Sequence, residues 1–129
     1  MNIGKAAKSS KLTIKAVRYY ANIGLIKPRQ NISSGYREYT DEEVMKLKFI
    51  GKARKFDFSI NECKELLSLY EDSNRTSKEV KKITLEKIAQ IDSKLKVLNE
   101  LREELSFLAS HCHGDDKPNC PILDELSKN

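Results

Sequence analysis

The chain has 129 residues, of which 39% are hydrophobic and 33% charged, with a net charge of +5. The apolar share is low and the charged share high for a compact globule, which points to long solvated helices. No apolar run approaches the roughly 18 residues of a membrane span, residues 1–10 lack the apolar core of a secretory signal, and three cysteines, an odd number, argue against a disulfide framework; the expected location is cytoplasmic, with no membrane partner.

The charge is unevenly spread. Residues 1–40 carry eight Lys/Arg against one acid, Glu38, a net +7, whereas the other 89 residues carry 16 Lys/Arg against 18 acids, a net −2. A basic N-terminal third suits a polyanion such as DNA.

Residues 3–9 (IGKAAKS) read as a short first helix. Thr13 is a good N-cap for a second, over 14–21 (IKAVRYYA). Two short helices joined by about four residues, the second basic and aromatic, match helix-turn-helix spacing. Gly24 closes the second helix, and Leu25 and Ile26 can fold back on it. Residues 27–35 are rich in turn formers and precede the alternating YREY, which predicts a small β-hairpin, a wing, ending at Tyr39. Thr40 with Glu43 makes a capping box for a helix burying Val44, Leu47, Ile50 and Ala53. Ser59 with Glu62 makes another, for a helix to about Tyr70. Cys63 lies on the apolar face of that helix and reads as a buried structural residue.

Residues 71–76 are polar and mark a break. From Ser77 to about Ala109 there is no Gly or Pro. Ile88, Ile91, Leu95, Leu98 and Leu105 follow steps of three and four, with Arg102 interrupting and Leu101 and Leu108 widening the stripe. Thirty-three helical residues span roughly 50 Å, too long for a 70-residue domain to cover. A second copy of the chain is the expected cover; a helix folded back over its own domain is the alternative. In the tail, Gly114, Asp115, Asp116, Pro118 and Asn119 make a loop, after which Cys120 and Pro121 stand as N-cap and first residue of a short helix, PILDEL.

Cys112 and Cys120 flank that seven-residue loop, which can bring two sulfurs together. Two thiolates suit a soft d10 ion, and the free N–H groups of the helix after Cys120 would stabilise a thiolate there. A zinc site using His111 or His113, a redox disulfide and two unrelated thiols remain as alternatives. An iron–sulfur cluster needs more cysteines than are present. On the second helix, Lys15, Arg18 and Tyr19 share one side. Arg18 can read a guanine edge and Lys15 a phosphate, and Tyr36 and Arg37 at the wing can grip the backbone. Tyr20 joins this candidate DNA surface, although at least one of Tyr19 and Tyr20 is expected in the core. The only candidate bases for a thiol enzyme are the two flanking His, and no substrate pocket is evident, so no enzymatic activity is expected.

The string from Ile3 to Val44 resembles the DNA-binding region of the MerR family; RYY, GLI.P, GYR.Y and, further on, FSI.E stand in order and at the right spacing, and the resemblance covers essentially the whole chain. The tail CHGDDKPNCPIL is similar to that of copper-efflux regulators within it. The resemblance implies a mainly α fold: a winged helix-turn-helix DNA-binding domain (1–70), a long antiparallel coiled-coil dimerisation helix (77–109), and a metal-binding loop with a short helix (110–129). It implies a homodimer on palindromic promoter DNA whose spacer RNA polymerase uses poorly, with metal binding distorting the DNA to activate transcription. Cys112 and Cys120 then match the copper ligands, contributed to a site made across the dimer. Ser77, from the other subunit, stands where divalent-metal sensors carry a third cysteine. Two thiolates satisfy Cu(I), Ag(I) or Au(I), whereas Zn(II) wants four ligands. Lys81, one turn after Ser77, can offset the −1 charge of two thiolates and a monovalent ion. A zinc, cadmium or mercury sensor of the same family and a structural-zinc interaction module are the competing readings. Two positions depart from the family pattern: Lys11 replaces a turn glycine, and Asn31 replaces an Arg common in the wing.

Overall fold

The computed structural model describes every residue, Met1–Asn129. The elements in chain order are α1 (Ile3–Ser10), α2 (Ile14–Asn22), β1 (Arg29–Gln30), β2 (Arg37–Glu38), α3 (Asp41–Lys55), α4 (Ile60–Glu71), α5 (Ser77–His111) and α6 (Pro121–Leu126). They divide into two compact units, Met1–Lys82 and Ile83–Asn129. The mainly helical class, the helix-turn-helix with its wing and the long helix are all as the sequence predicts.

In the first unit, α1 packs on α2 and α3, and α3 packs on α4. Asn2 starts α1 by accepting a hydrogen bond from the Lys5 N–H at 2.9 Å. The inward face of α1 is small: Ala6, Ala7 and Ser10 are buried. Ser10 satisfies its hydroxyl within the helix by donating to the Ala6 carbonyl at 2.8 Å. Around this face gather Val17 and Tyr20 of α2, Leu25 and Ile26 after it, and Leu47 and Ile50 of α3. Both expected capping boxes form, Thr40 with Glu43 and Ser59 with Glu62. Each satisfies two helix-end N–H groups reciprocally. Cys63 is fully buried, as its place on an apolar face predicts.

Three helices in this unit end in the same way. After α2, the Leu25 N–H donates to the Tyr20 carbonyl and the Gly24 N–H to the Ala21 carbonyl. After α1, Leu12 and Lys11 do the same to Ala7 and Lys8; after α3, Phe58 and Asp57 do so to Ala53 and Arg54. This paired pattern requires a left-handed residue at the corner. Gly24 takes it at φ 78° without a Cβ penalty, but Lys11 (φ 59°) and Asp57 (φ 69°) take it with one. Lys11, standing where the resemblance leads one to expect a turn glycine, is thus a lysine in a glycine conformation.

The wing is one antiparallel pair with Arg29 opposite Glu38 and Gln30 opposite Arg37. Asn31 builds its turn. The Asn31 Oδ1 accepts from the Ser33 and Ser34 N–H groups, and its amide donates to the Glu38 carboxylate at 2.6 Å. The break before α5 is ordered as well. Arg75 donates to the Tyr70 and Asp72 carbonyls, at 3.1 and 3.0 Å, with its guanidinium 5.9 Å from the Tyr70 ring. Thr76 then receives the Glu79 N–H and starts α5.

In the second unit α5 runs two residues past its expected end. The extra turn carries its own bonds, since Ser110 donates to the Phe107 carbonyl and the Cys112 N–H to that of Ala109. Ile88, Leu95, Leu98, Leu101 and Leu105 are exposed along the helix. Gly114, at φ 62°, turns the chain into the loop, and Cys120 and Pro121 open α6 as N-cap and first residue. No helix is long and apolar enough to cross a membrane.

Replacing Lys11 by Gly relieves the left-handed corner, against a smaller entropic gain of the unfolded chain. We expect Lys11→Gly to be about 0.5–1 kcal/mol more stable in urea unfolding. Lys11→Val, β-branched at the same φ, loses more than about 1 kcal/mol; equal stability of all three proteins contradicts the strain.

Candidate functional site

The first candidate surface is basic and lies on α2 and the wing. Thr13 caps α2 by accepting the Ala16 N–H at 3.0 Å. That fixes the helical rotation, and with it the side on which Lys15, Arg18 and Tyr19 stand, all three exposed. Tyr19 keeps 49% of its surface in solvent while Tyr20 keeps 8%. Tyr20 is thus a core residue, and its expected place on the DNA surface is corrected. The α2 face that buries Val17 also buries Tyr20, the i, i+3 neighbour. Tyr20 instead backs Tyr19, their ring centroids 5.8 Å apart.

Tyr36, 77% exposed, and Arg37 stand at the wing. Together with Arg18 they line an open depression of about 330 Å³, completed by Asn2, Ile3 and Gly35. The structure so brings a residue of α2 and two of the wing to one place. Two guanidinium groups and a phenol over a concave surface can hold phosphate oxygens from two directions. Asn2 and Ile3 at this edge were not legible as surface residues, because their sequence signal is that of a helix start. Asn31 spends its side chain inside the wing turn, so its contribution is shape.

The second candidate site is the cysteine loop. Cys112 and Cys120 are both free thiols and half-buried. The Leu123 backbone N–H lowers the Cys120 thiol pKa below the usual value, with the Ile122 N–H and the Cys112 thiol acting the same way. Desolvation and the Asp124 carboxylate oppose them. Cys120 makes no capping hydrogen bond of ordinary geometry. The N–H groups act through their field on a sulfur that stays available, the helix-start effect expected from Pro121. The Cys112 thiol is among the groups that act on the Cys120 thiol, so the two sulfurs lie near one another. No cluster of three or more His, Cys, Asp or Glu side chains exists in the chain, and the donor set is two sulfurs. Two sulfur donors are of the kind that a soft metal ion takes. Ser77 is the first residue of α5 and Lys81 stands one turn on; both are exposed.

Residues 1–69 match the family described as MerR HTH family regulatory protein, and residues 44–108 that described as MerR, DNA binding. The chain belongs to the MerR family. It is a DNA-binding transcriptional regulator and not an enzyme. Over 127 residues it is 48% identical to the HTH-type transcriptional regulator HmrR of Rhizobium leguminosarum bv. viciae, covering 98% of each chain. It is 43% identical over 127 residues to the HTH-type transcriptional regulator CueR of Salmonella typhimurium, covering 98% of this chain and 92% of that one. Among solved structures it is similar to the regulator PbrR691 from Ralstonia metallidurans CH34 in complex with lead(II). The TM-score is 0.80 and the identity 29%, over 98% of this chain and 99% of that one.

Two measurements probe the two sites of this MerR-family regulator. Arg18→Ala is expected to lose about 1–3 kcal/mol of promoter affinity in a band-shift titration. Lys15→Ala lowers the salt slope of binding by about one. Unimpaired binding by both variants removes α2 as the reading element. The lowered Cys120 pKa keeps its thiolate present at lower pH than in an unfolded chain, and this preference favours the fold above the ordinary thiol range and fades as pH falls through the folded value. The pH profile of Cys120 alkylation, followed by mass spectrometry, is expected to have its midpoint below that of the same residue in urea. Coincident midpoints contradict a field from α6.

Proposed function

We propose that this regulator responds to metal: as a homodimer on promoter DNA it activates transcription when Cu(I), or Ag(I) or Au(I), binds Cys112 and Cys120. The observation that carries the reading is a pair of half-buried free thiols at the two ends of one short loop, the Cys112 thiol acting on that of Cys120. Cys112 and Cys120 would hold the ion, and two soft sulfur donors suit a monovalent d10 ion. The chain's own residues supply the rest. Two thiolates and a monovalent ion carry −1, and the N–H groups of Ile122 and Leu123 favour negative charge at Cys120. Ser77 of the second copy would add no thiolate to the pair, and Lys81 one turn on would counter the charge.

The dimer is supported by the exposed stripe of Ile88, Leu95, Leu98, Leu101 and Leu105 on α5, which asks for an apolar partner along its length. In this reading α5 and the tail after it, from Ser77 on, carry dimerisation and sensing, and the elements before Ser77 carry Arg18, Lys15, Tyr19, Tyr36 and Arg37 to the DNA. Activation follows when a change in the dimer alters the distance between two DNA-bound units. The promoter then bends or untwists, and RNA polymerase gains its register.

An anaerobic Cu(I) titration against a strong competing chelator tests the site. One ion per chain, lost in both Cys112→Ser and Cys120→Ser, is the expected result. Zinc binding tighter than Cu(I) binding would instead favour the divalent sensor. Ser77→Cys is expected to gain transcriptional response to Zn(II) or Cd(II), and an unchanged response removes Ser77 from selectivity.

A further inference from the structure

Cys112 is flanked by two histidines, and the one that ends α5 is held in a definite place. The His111 ring stacks on the Phe107 ring, centroids 4.1 Å apart and planes 36° apart. The His111 Nδ1 lies 2.8 Å from the Phe107 carbonyl and 3.1 Å from the Ser110 Oγ. A carbonyl oxygen only accepts, and the Ser110 hydroxyl gives its own proton to that same carbonyl at 2.7 Å. Nδ1 therefore carries the proton, and the lone pair of the neutral ring sits on Nε2. This is the arrangement in which imidazole ligates metals, one nitrogen donating to a carbonyl and the other open.

A competent donor thus stands one residue from Cys112, yet it does not join the sulfurs, since no cluster of three such side chains exists. Place, and not chemistry, keeps it out. Phe107 fixes that place, and it does so from the outer side of the helix. It is 63% exposed, two residues beyond Leu105 and off the apolar stripe. We propose that His111 is a withheld third ligand and that Phe107, by holding its ring, sets the metal selectivity of the cysteine pair. The inference rests on Cys112 and Cys120 being the sensing pair. A divalent ion needs more than two donors, and to use this one it must pull His111 from its stack. A linear monovalent ion has no use for it. The stack contributes a discrimination of up to about tenfold against divalent ions.

The test is a pair of anaerobic competition titrations, Zn(II) alone and Cu(I) alone, on the full chain. They are run on wild type, Phe107→Ala, Phe107→Leu, His111→Ala and Phe107→Ala with His111→Ala. Both Phe107 variants are expected to bind Zn(II) about tenfold more tightly with Cu(I) affinity unchanged, and the double variant returns to the wild-type Zn(II) affinity. Nitrogen NMR of the ring adds a second readout. The wild-type ring is Nδ1-protonated and unmoved by Cu(I), and Zn(II) shifts Nε2 in the Phe107 variants. Phe107→Leu keeps apolar bulk without the ring, so it carries the comparison if alanine frays the helix end. Unchanged Zn(II) affinity in both Phe107 variants overturns the inference, as does a gain that survives removal of His111. Loss of Cu(I) binding from the wild-type cysteine pair is a separate failure, that of the sensing site itself.

Discussion

Ala6 and Ala7 carry nothing beyond Cβ, and the approach of α1 to α2 and α3 depends on that. With both buried, Val17 and Tyr20 meet Leu47 and Ile50 around them. The tightness is visible elsewhere in the same unit: a methyl placed on Gly51 of α3 meets the Leu12 side chain at 3.0 Å. A larger side chain at Ala6 or Ala7 pushes the helices apart at a cost of about 1–3 kcal/mol. The side of α2 bearing Lys15, Arg18 and Tyr19 faces outward because its opposite side is anchored there. The wing is tied into the same core by Tyr39, which is buried and follows β2 directly.

The two units use their charge differently. In the first, positive groups stand free on a surface, where their effect on a polyanion is long-ranged and screened by salt. In the second, backbone dipoles of one helical turn act on a single sulfur over a few ångströms. The first arrangement selects a class of partner; the second sets the chemistry of one atom. The imidazole of His111, parked on Phe107, belongs to the second kind, since its effect depends on a ring position and not on net charge.

Much of this was legible in the sequence, and what was legible is mostly local. Capping boxes announce themselves because the side chain and the N–H it receives are three residues apart, as with Thr40 and Glu43. Gly24 marked its corner for the same reason. The corner at Lys11 was flagged only through the glycine it replaces, and that at Asp57 did not read as a helix end of that type, because the hydrogen bonds that build it are main-chain and it carries no glycine. The sorting of Tyr19 from Tyr20 was also out of reach: adjacent aromatic residues give no periodicity to choose between them, and only the packing of α2 does. Arg75, clamping the break before α5, had no sequence signal at all. The cysteine loop read well up to its ends. The stacking of His111 on Phe107, four residues back on the same helix, is a rotamer choice that the sequence permits without announcing.

The brevity of that loop reaches into the unfolded state. Cys112 and Cys120 are eight positions apart, and closing so small a loop costs little chain entropy. A denatured chain can therefore gather the same two sulfurs, without the field of α6 but with the same atoms. An ion that bridges them is held by both the folded and the unfolded ensembles. Ligands stabilise a fold only by their preference for it. For the proposed site, a rise in melting temperature on adding the ion would measure the difference between two affinities and fall well short of the affinity itself. The shortfall reports how much of the site is fold and how much is mere proximity along the chain.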